Sequence, residues 1–309
     1  MTLDMTHIIN QMISLFLLLA VGYIASKLNL ITKDMLPKLS NLMISIIVPA
    51  SVLSAVINVK NEHSIGELLG LIGIAVLVYV FLIAFAYLIP PMLAVKKEQI
   101  NLYRFMTVFT NAAYMGFPVI TAIYGSEGLF YAMLFQLPFN ALVFSYGAKL
   151  IAGKNFHLSL RKTVVNIGTV TAVLALIVYV AQIPVPTVID NTIDTVGGMT
   201  APFSMLIIGA TLGGMPIRQM FNKWRLYPFA VITNVVLPLI LYFILRLFVV
   251  DQMMLQVSVV IAAMPVATVS GIFCHRYGGD AETASAGVFI STAMSVGTIP
   301  LLVWLMQIL

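Results

Sequence analysis

The sequence predicts an all-α integral membrane protein of ten transmembrane helices, arranged as two inverted five-helix repeats in which helices 4 and 9 are broken. Three observations lead there. Apolar stretches recur along a chain that is 61% hydrophobic and 9% charged, each long enough for a hydrocarbon core of roughly 30 Å. The cationic residues sort by the side of the membrane they would occupy. Two pairs of segments also match each other at one fixed offset.

The spans run over 7–26, 36–57, 66–89, 101–123, 129–151, 162–181, 192–213, 226–249, 254–275 and 281–307. With the N-terminus outside, 14 of the 16 Lys and Arg fall in loops facing the cytoplasm. These are Lys27, Lys33 and Lys38; Lys96, Lys97 and Arg104; Lys149, Lys154, Arg161 and Lys162; Arg218, Lys223 and Arg225; and Arg276. Only Lys60 and Arg246 remain on the other side. Cytoplasmic loops of membrane proteins carry such an excess, and one miscounted span would swap every later loop. A multi-pass protein of the plasma membrane follows, with both termini extracytoplasmic.

The net charge of +5 sits in short loops, where it meets anionic headgroups, so it is no sign of nucleic-acid binding. The residues before the first span include Asp4 and no Lys or Arg, so that span reads as a retained helix rather than a cleaved signal. Cys274 is alone, which excludes an intrachain disulfide. His7, His63, His157 and His275 lie far apart and offer no metal site. The longest polar stretches, 152–161 and 184–191, are too short for a soluble domain. The chain 1–309 is therefore a single membrane domain, read below as a transport domain, with repeat 1 at about 7–151 and repeat 2 at about 162–307. Five spans per half is odd, so the halves have opposite orientations.

The repeat shows directly at an offset of 153. Pro49, Ser51 and Leu53 fall on Pro202, Ser204 and Leu206, and Tyr124-Gly125 falls on Tyr277-Gly278, with Glu127 on Asp280. Inverted repeats are a common build for secondary transporters, with the substrate near the midplane where the halves meet.

An ionisable group at mid-bilayer is costly and marks function. All 11 Asp and Glu lie near a span end or in a loop. A proton pump or sodium/proton exchanger, which needs a carboxylate at depth, is thereby disfavoured. Membrane metalloproteases and aspartate-rich prenyl transferases lack their motifs, and no nucleophile–base pair lies in the spans, so the chain is not read as an enzyme. Asp190 and Asp194 suit a solvated helix N-terminus better than a cation site.

Uncharged polar groups are then the candidates. The fourth span holds Asn111, Gly116 and Pro118; Pro118 removes a backbone donor and Gly116 loosens the same turn. The ninth holds Pro265, Thr268 and Ser270. Broken membrane helices need protein, water or ligand to satisfy the freed backbone groups. Half-helix N-termini offer N–H groups and partial positive charge, which suits a carboxylate without a buried cation. Ordinary proline kinks are the competing reading. Gln136 and Asn140 share a helix face, and either line the cavity or tie helices together. Ser51 and Ser204 are candidate lining residues from the second helix of each half.

These residues carry a resemblance to the auxin efflux carrier family, which includes the plant PIN transporters, and specifically to its bacterial-type members. Asn111-Ala-Ala-Tyr-Met-Gly-Phe-Pro118 looks like the family's Asn-x-x-x-Met/Leu-Gly-Ile/Leu-Pro segment, and Met264-Pro265 with Arg276-Tyr-Gly-Gly-Asp280 looks like its C-terminal crossover and following turn. The resemblance spans about 10–308. It implies ten helices in two inverted halves, similar to bile-acid symporters, an elevator-type motion, and a small organic anion held near the crossover by Asn111, with Pro265 marking one crossing. The chain departs from plant members at Thr110, where they have Pro, which moves the expected first break to Gly116 and Pro118. It also lacks their long central loop.

The reading is a secondary carrier of a small carboxylate or dicarboxylate, malate or malonate being favoured over auxin. The alternatives are a sodium-coupled organic-anion symporter and a ligand sensor that moves nothing. No cofactor is implied. Na⁺ or H⁺ is compatible as a coupling ion, and the expected partners are the anion, the lipid bilayer and, for assembly, a second copy as homodimer.

Overall fold

The computed structural model describes residues 5–57, 64–153, 166–215 and 222–309. Asp4, Lys60, His63, Lys154, His157, Arg161, Lys162 and Arg218, and the first residues of the sixth predicted span, lie outside them. The described chain is helical, and its only extended pairing is one isolated antiparallel bridge, Thr110 to Val266. The helices are α1 (Met5–Lys27), α2 (Met35–Ser54), α3 (Ile65–Met92) and α4 (Ile100–Val108). The run Ala112–Ala152 is divided at Gly125 (φ 68°, ψ −158°) into α5 (112–124) and α6 (126–152). Then follow α7 (Ile167–Ala181), α8 (Thr187–Gly213), α9 (Leu226–Leu245), α10 (Gln252–Ala263), α11 (Val269–Tyr277) and α12 (Ala281–Ile308).

Seven runs are long and apolar enough to cross a bilayer unaided: 9–27, 35–54, 65–92, 112–152, 187–213, 226–245 and 281–308. Large apolar side chains stand exposed along them, as at Leu17, Val21 and Ile24 of α1. This is a multi-pass membrane protein. The sequence predicts ten spans rather than seven, and the difference has physical causes. Gly125 adopts a left-handed φ and splits one long run into two helices. The helices α7 and α10 are shorter, and α4 stops after nine residues because the chain turns extended at Phe109.

Proline shapes several helices without ending them. Three turns widen to π geometry, Met43–Ile47, Ala112–Gly116 and Ile232–Val236, and each ends two residues before a proline: Pro49, Pro118 and Pro238. A proline ring crowds the preceding turn and offers no N–H, and a wider turn relieves both problems. A fourth π turn, Val143–Gly147, is followed by no proline; at its end a Cβ at Gly147 would stand 2.8 Å from the Phe109 ring and 2.9 Å from that of Phe105.

The chain divides into two compact units. The first comprises Met1–Ile74, Ala113–Leu137 and Val165–Met215. Its main contact is α1 along the C-terminal half of α8, where backbones meet. A Cβ at Gly22 would overlap the Leu206 carbonyl, and one at Gly209 the Leu19 carbonyl. Such contacts between small residues are how membrane helices gain packing without a hydrophobic drive. The N-terminal half of α8 packs on α2 likewise: a Cβ at Gly197 would lie 2.8 Å from Ser51 Cα. Thr200 of α8 donates to the Ile47 carbonyl of α2 at 3.5 Å, between positions 153 apart. Asp194 accepts from the Ser54 hydroxyl.

The second unit comprises Ala75–Ala112, Pro138–Val164 and Pro216–Leu309. Here α12 packs against α9, α10 and α11. Asp280 caps α12 by accepting from Thr283 N at 2.9 Å, and it also accepts from Gln99 Nε2 at 2.8 Å. Burial opposes its ionisation, but the hydrogen bonds from Thr283 and Gln99, with Lys223 nearby, outweigh it and hold the carboxyl below its ordinary range. Left-handed turns also recur at the repeat spacing: Gly125 (φ 68°) with Gly278 (φ 77°), and Asn29 (φ 57°) with Gln182 (φ 47°).

Candidate functional site

The site is a crossing of two extended segments within the second unit. Helix α4 ends at Val108, and Phe109 turns extended (φ −102°, ψ 92°). Helix α10 ends at Ala263, and Met264 does the same (φ −61°, ψ 146°). Pro265 explains the second break, since it supplies no N–H and disfavours a helical residue before it. The segments pair antiparallel: Asn111 N–H donates to the Pro265 carbonyl at 2.7 Å and Ala267 N–H to the Phe109 carbonyl at 3.0 Å. These bonds replace helical ones that neither segment makes, as a nonaqueous medium requires.

The first break differs from the expectation that placed it at Gly116 and Pro118. It lies at Phe109–Asn111, and Pro118 stands in the first turn of a continuing helix. No proline is needed because Thr110 is held from outside: its hydroxyl donates to the Ile261 carbonyl at 2.9 Å. Phe109 is fully buried, its ring 4.6 Å from Phe105 and 5.8 Å from Phe139 between centroids.

Neighbouring helices brace the crossing. Val266 N–H donates to Ser291 Oγ at 3.0 Å, and that hydroxyl donates to the Gly287 carbonyl at 2.7 Å. Asn234, fully buried in the π turn of α9, donates to the Ser291 carbonyl at 3.0 Å and accepts from Thr233. Sequence reasoning missed Ser291, Asn234 and Thr110. An amide inside the apolar run 226–249 is a signal that could have found Asn234; nothing in the pattern distinguishes Ser291. Ser291→Ala is expected to leave the Val266 N–H unpartnered and lower stability by about 1–3 kcal/mol. The check is the thermal midpoint of purified protein, with Ser258→Ala, whose hydroxyl donates to the Met254 carbonyl of its own helix, falling less.

Of the predicted site residues, the structure joins Asn111 directly to Pro265, and Ser270 follows in the first turn of α11, its N–H bonded to the Ala267 carbonyl at 3.0 Å. Asn140 also belongs to the second unit, whereas Ser51, Ser204, Gly116, Pro118 and Gln136 belong to the first. Ser204 is fully buried and donates to the Ala201 carbonyl, and Ser51 packs on Gly197.

The crossing leaves polar side-chain atoms unpartnered beside carbonyls that are each already bonded. The carbonyls of Phe109, Thr110, Pro265 and Ala267 each already accept a hydrogen bond. Asn111 Nδ2 and Ser270 Oγ are buried with no partner, at 4% and 0% residue exposure. Asn140 Nδ2 is likewise buried and unpartnered. Buried donors left without acceptors are costly, so a surplus of donors suits a group rich in acceptor oxygens.

A family model described as membrane transport protein matches residues 7–160 and 155–304. An uncharacterized transporter of Methanocaldococcus jannaschii is 22% identical over 297 residues, covering 94% of this chain and 96% of the relative. One from Methanothermobacter thermautotrophicus is 22% identical over 292 residues, covering 94% and 95%. A Rhizobium meliloti protein named "Putative malonate transporter" is 29% identical over 124 residues, 40% of this chain and 38% of that protein.

Proposed function

The chain belongs to the membrane transport protein family, the auxin-efflux-carrier-like group, and is a transporter rather than an enzyme; from that premise we propose that it is a secondary carrier of a small organic anion, a carboxylate or dicarboxylate. The surplus of buried donors carries this reading: Asn111 Nδ2 and Ser270 Oγ lack partners where the carbonyls are taken. A carboxylate supplies four acceptor sites and carries charge, and the start of α11 presents partial positive charge beside Ser270. The name of the Rhizobium meliloti relative makes malonate the first acid to try.

Ten membrane crossings in two inverted halves are part of the proposal. Two contacts support it. Thr200 touches Ile47, positions related by the offset of 153, and the antiparallel pair Asn111–Pro265 lies within one residue of the same relation. A two-fold axis brings equivalent positions together and pairs their strands antiparallel. The matching left-handed turns at that spacing support it too. Division into two compact units, one of which holds the whole crossing, suits an elevator-type mechanism in which the site travels with one body. The proposed setting is the plasma membrane with both termini outside, on the sorting of Lys and Arg.

Uptake of radiolabelled malonate or malate into proteoliposomes is expected, with rates unchanged when choline replaces sodium. Sodium dependence would reverse the choice of coupling. Ligand-induced thermal stabilisation without any flux would favour a sensor instead.

A further inference from the structure

We propose that the second unit carries a binding site for the phosphate headgroup of an anionic phospholipid, at the end of the spans that the charge distribution assigns to the cytoplasm. The proposal is independent of the carboxylate reading. The site is a cavity of about 480 Å³ lined by Tyr87 near the end of α3, Asn101 at the start of α4, and Tyr146, Lys149, Leu150 and Gly153 at the end of α6. That volume falls within the ordinary range for ligand pockets.

Its chemistry is cationic and unbalanced. Arg104 engages two of the lining residues: its guanidinium lies 4.1 Å from the Tyr87 ring centroid, and Nη1 donates to Asn101 Oδ1 at 3.2 Å. Its Nε is buried without a hydrogen-bond partner. Lys149 is exposed at the cavity wall. Among the described residues neither cation pairs with a carboxylate, whereas Lys223 pairs with Glu282. Two tyrosine hydroxyls meet at 3.4 Å between them, Tyr146 donating to Tyr87. An arginine fork, a lysine and phenolic hydroxyls form a donor set for a phosphate.

The surroundings select a lipid over a soluble anion. Beside the cavity, α3 presents open apolar surface: Tyr87, which lines it, is 46% exposed, and elsewhere on the same end of the helix Leu88 is 53% and Met92 70% exposed. A free anion gains nothing from that surface. A phospholipid lays its acyl chains along it while its phosphate reaches the cations, and tyrosine is at home at this depth.

The test uses the full chain purified in detergent. Phosphatidylglycerol or phosphatidylcholine is titrated in, with bound lipid read by native mass spectrometry and thermal midpoint in parallel. Wild type is expected to retain phosphatidylglycerol preferentially. The double variant Arg104→Gln/Lys149→Gln is expected to lose about thirtyfold in apparent affinity, and Lys149→Gln alone, at an exposed position that folding tolerates, roughly fivefold. Lys38→Gln, in another predicted cytoplasmic loop, is expected to bind as wild type. Equal retention by Lys149→Gln and wild type overturns the site. An equal loss in Lys38→Gln shows diffuse charge attraction and overturns it too. Displacement of the lipid by equimolar inorganic phosphate overturns the choice of lipid.

Discussion

Asn111→Ala is expected to lower uptake of the proposed carboxylate substrate by about tenfold to a hundredfold, since a hydrogen bond to a charged group contributes roughly 1.5–3 kcal/mol. The variant is informative because the amide nitrogen bonds nothing within the protein. What joins Asn111 to its surroundings is backbone, its N–H to the Pro265 carbonyl, and that survives truncation. Expression and thermal midpoint should therefore stay near wild type while initial rates in proteoliposomes fall. Asn111→Asp should be worse, placing a negative charge where an anion is to bind. Unchanged uptake by Asn111→Ala would remove the residue from the site, whatever the protein carries.

Gly209→Val is expected to have the largest effect on folding. The position faces the Leu19 carbonyl so closely that even a Cβ would overlap it, and the neighbouring Tyr23 N would lie 2.8 Å away. Backbone atoms cannot rotate aside as a side chain can, so α1 and α8 must separate over the surface that Gly22 and Gly213 also bring close. Overpacking of this kind costs about 3 kcal/mol. The check is the thermal midpoint in detergent, with Gly214→Ala as control, since its Cβ would meet nothing nearer than 3.6 Å. Equal midpoints for the two variants would show that the helices do not meet as described.

How much of this was legible beforehand depends on whether the cause was local. Pro265 acts on its own chain, so the break beside it is legible in the sequence. The break at Phe109–Asn111 has no local cause. It exists because Ile261, Pro265 and Ala267, about 150 residues away, take over the bonds of Thr110, Asn111 and Phe109. The nearby residues able to break a helix on their own are Gly116 and Pro118, and there proline only widens a turn. Asn111 was legible as a polar side chain in an apolar run. Ser291 was not, because a hydroxyl bonded to its own helix is ordinary, and only the fold shows that Val266 N–H arrives at the same oxygen.

The crossing is stitched by main-chain atoms: carbonyls and amides at 109, 111, 265 and 267 make the ladder, whatever side chains those positions bear. On the proposed function, exchanging residues such as Asn111 or Ser270 would rewrite which acid is carried while the underlying frame persists. Descendants of one such scaffold are free to diverge in diet far sooner than in shape.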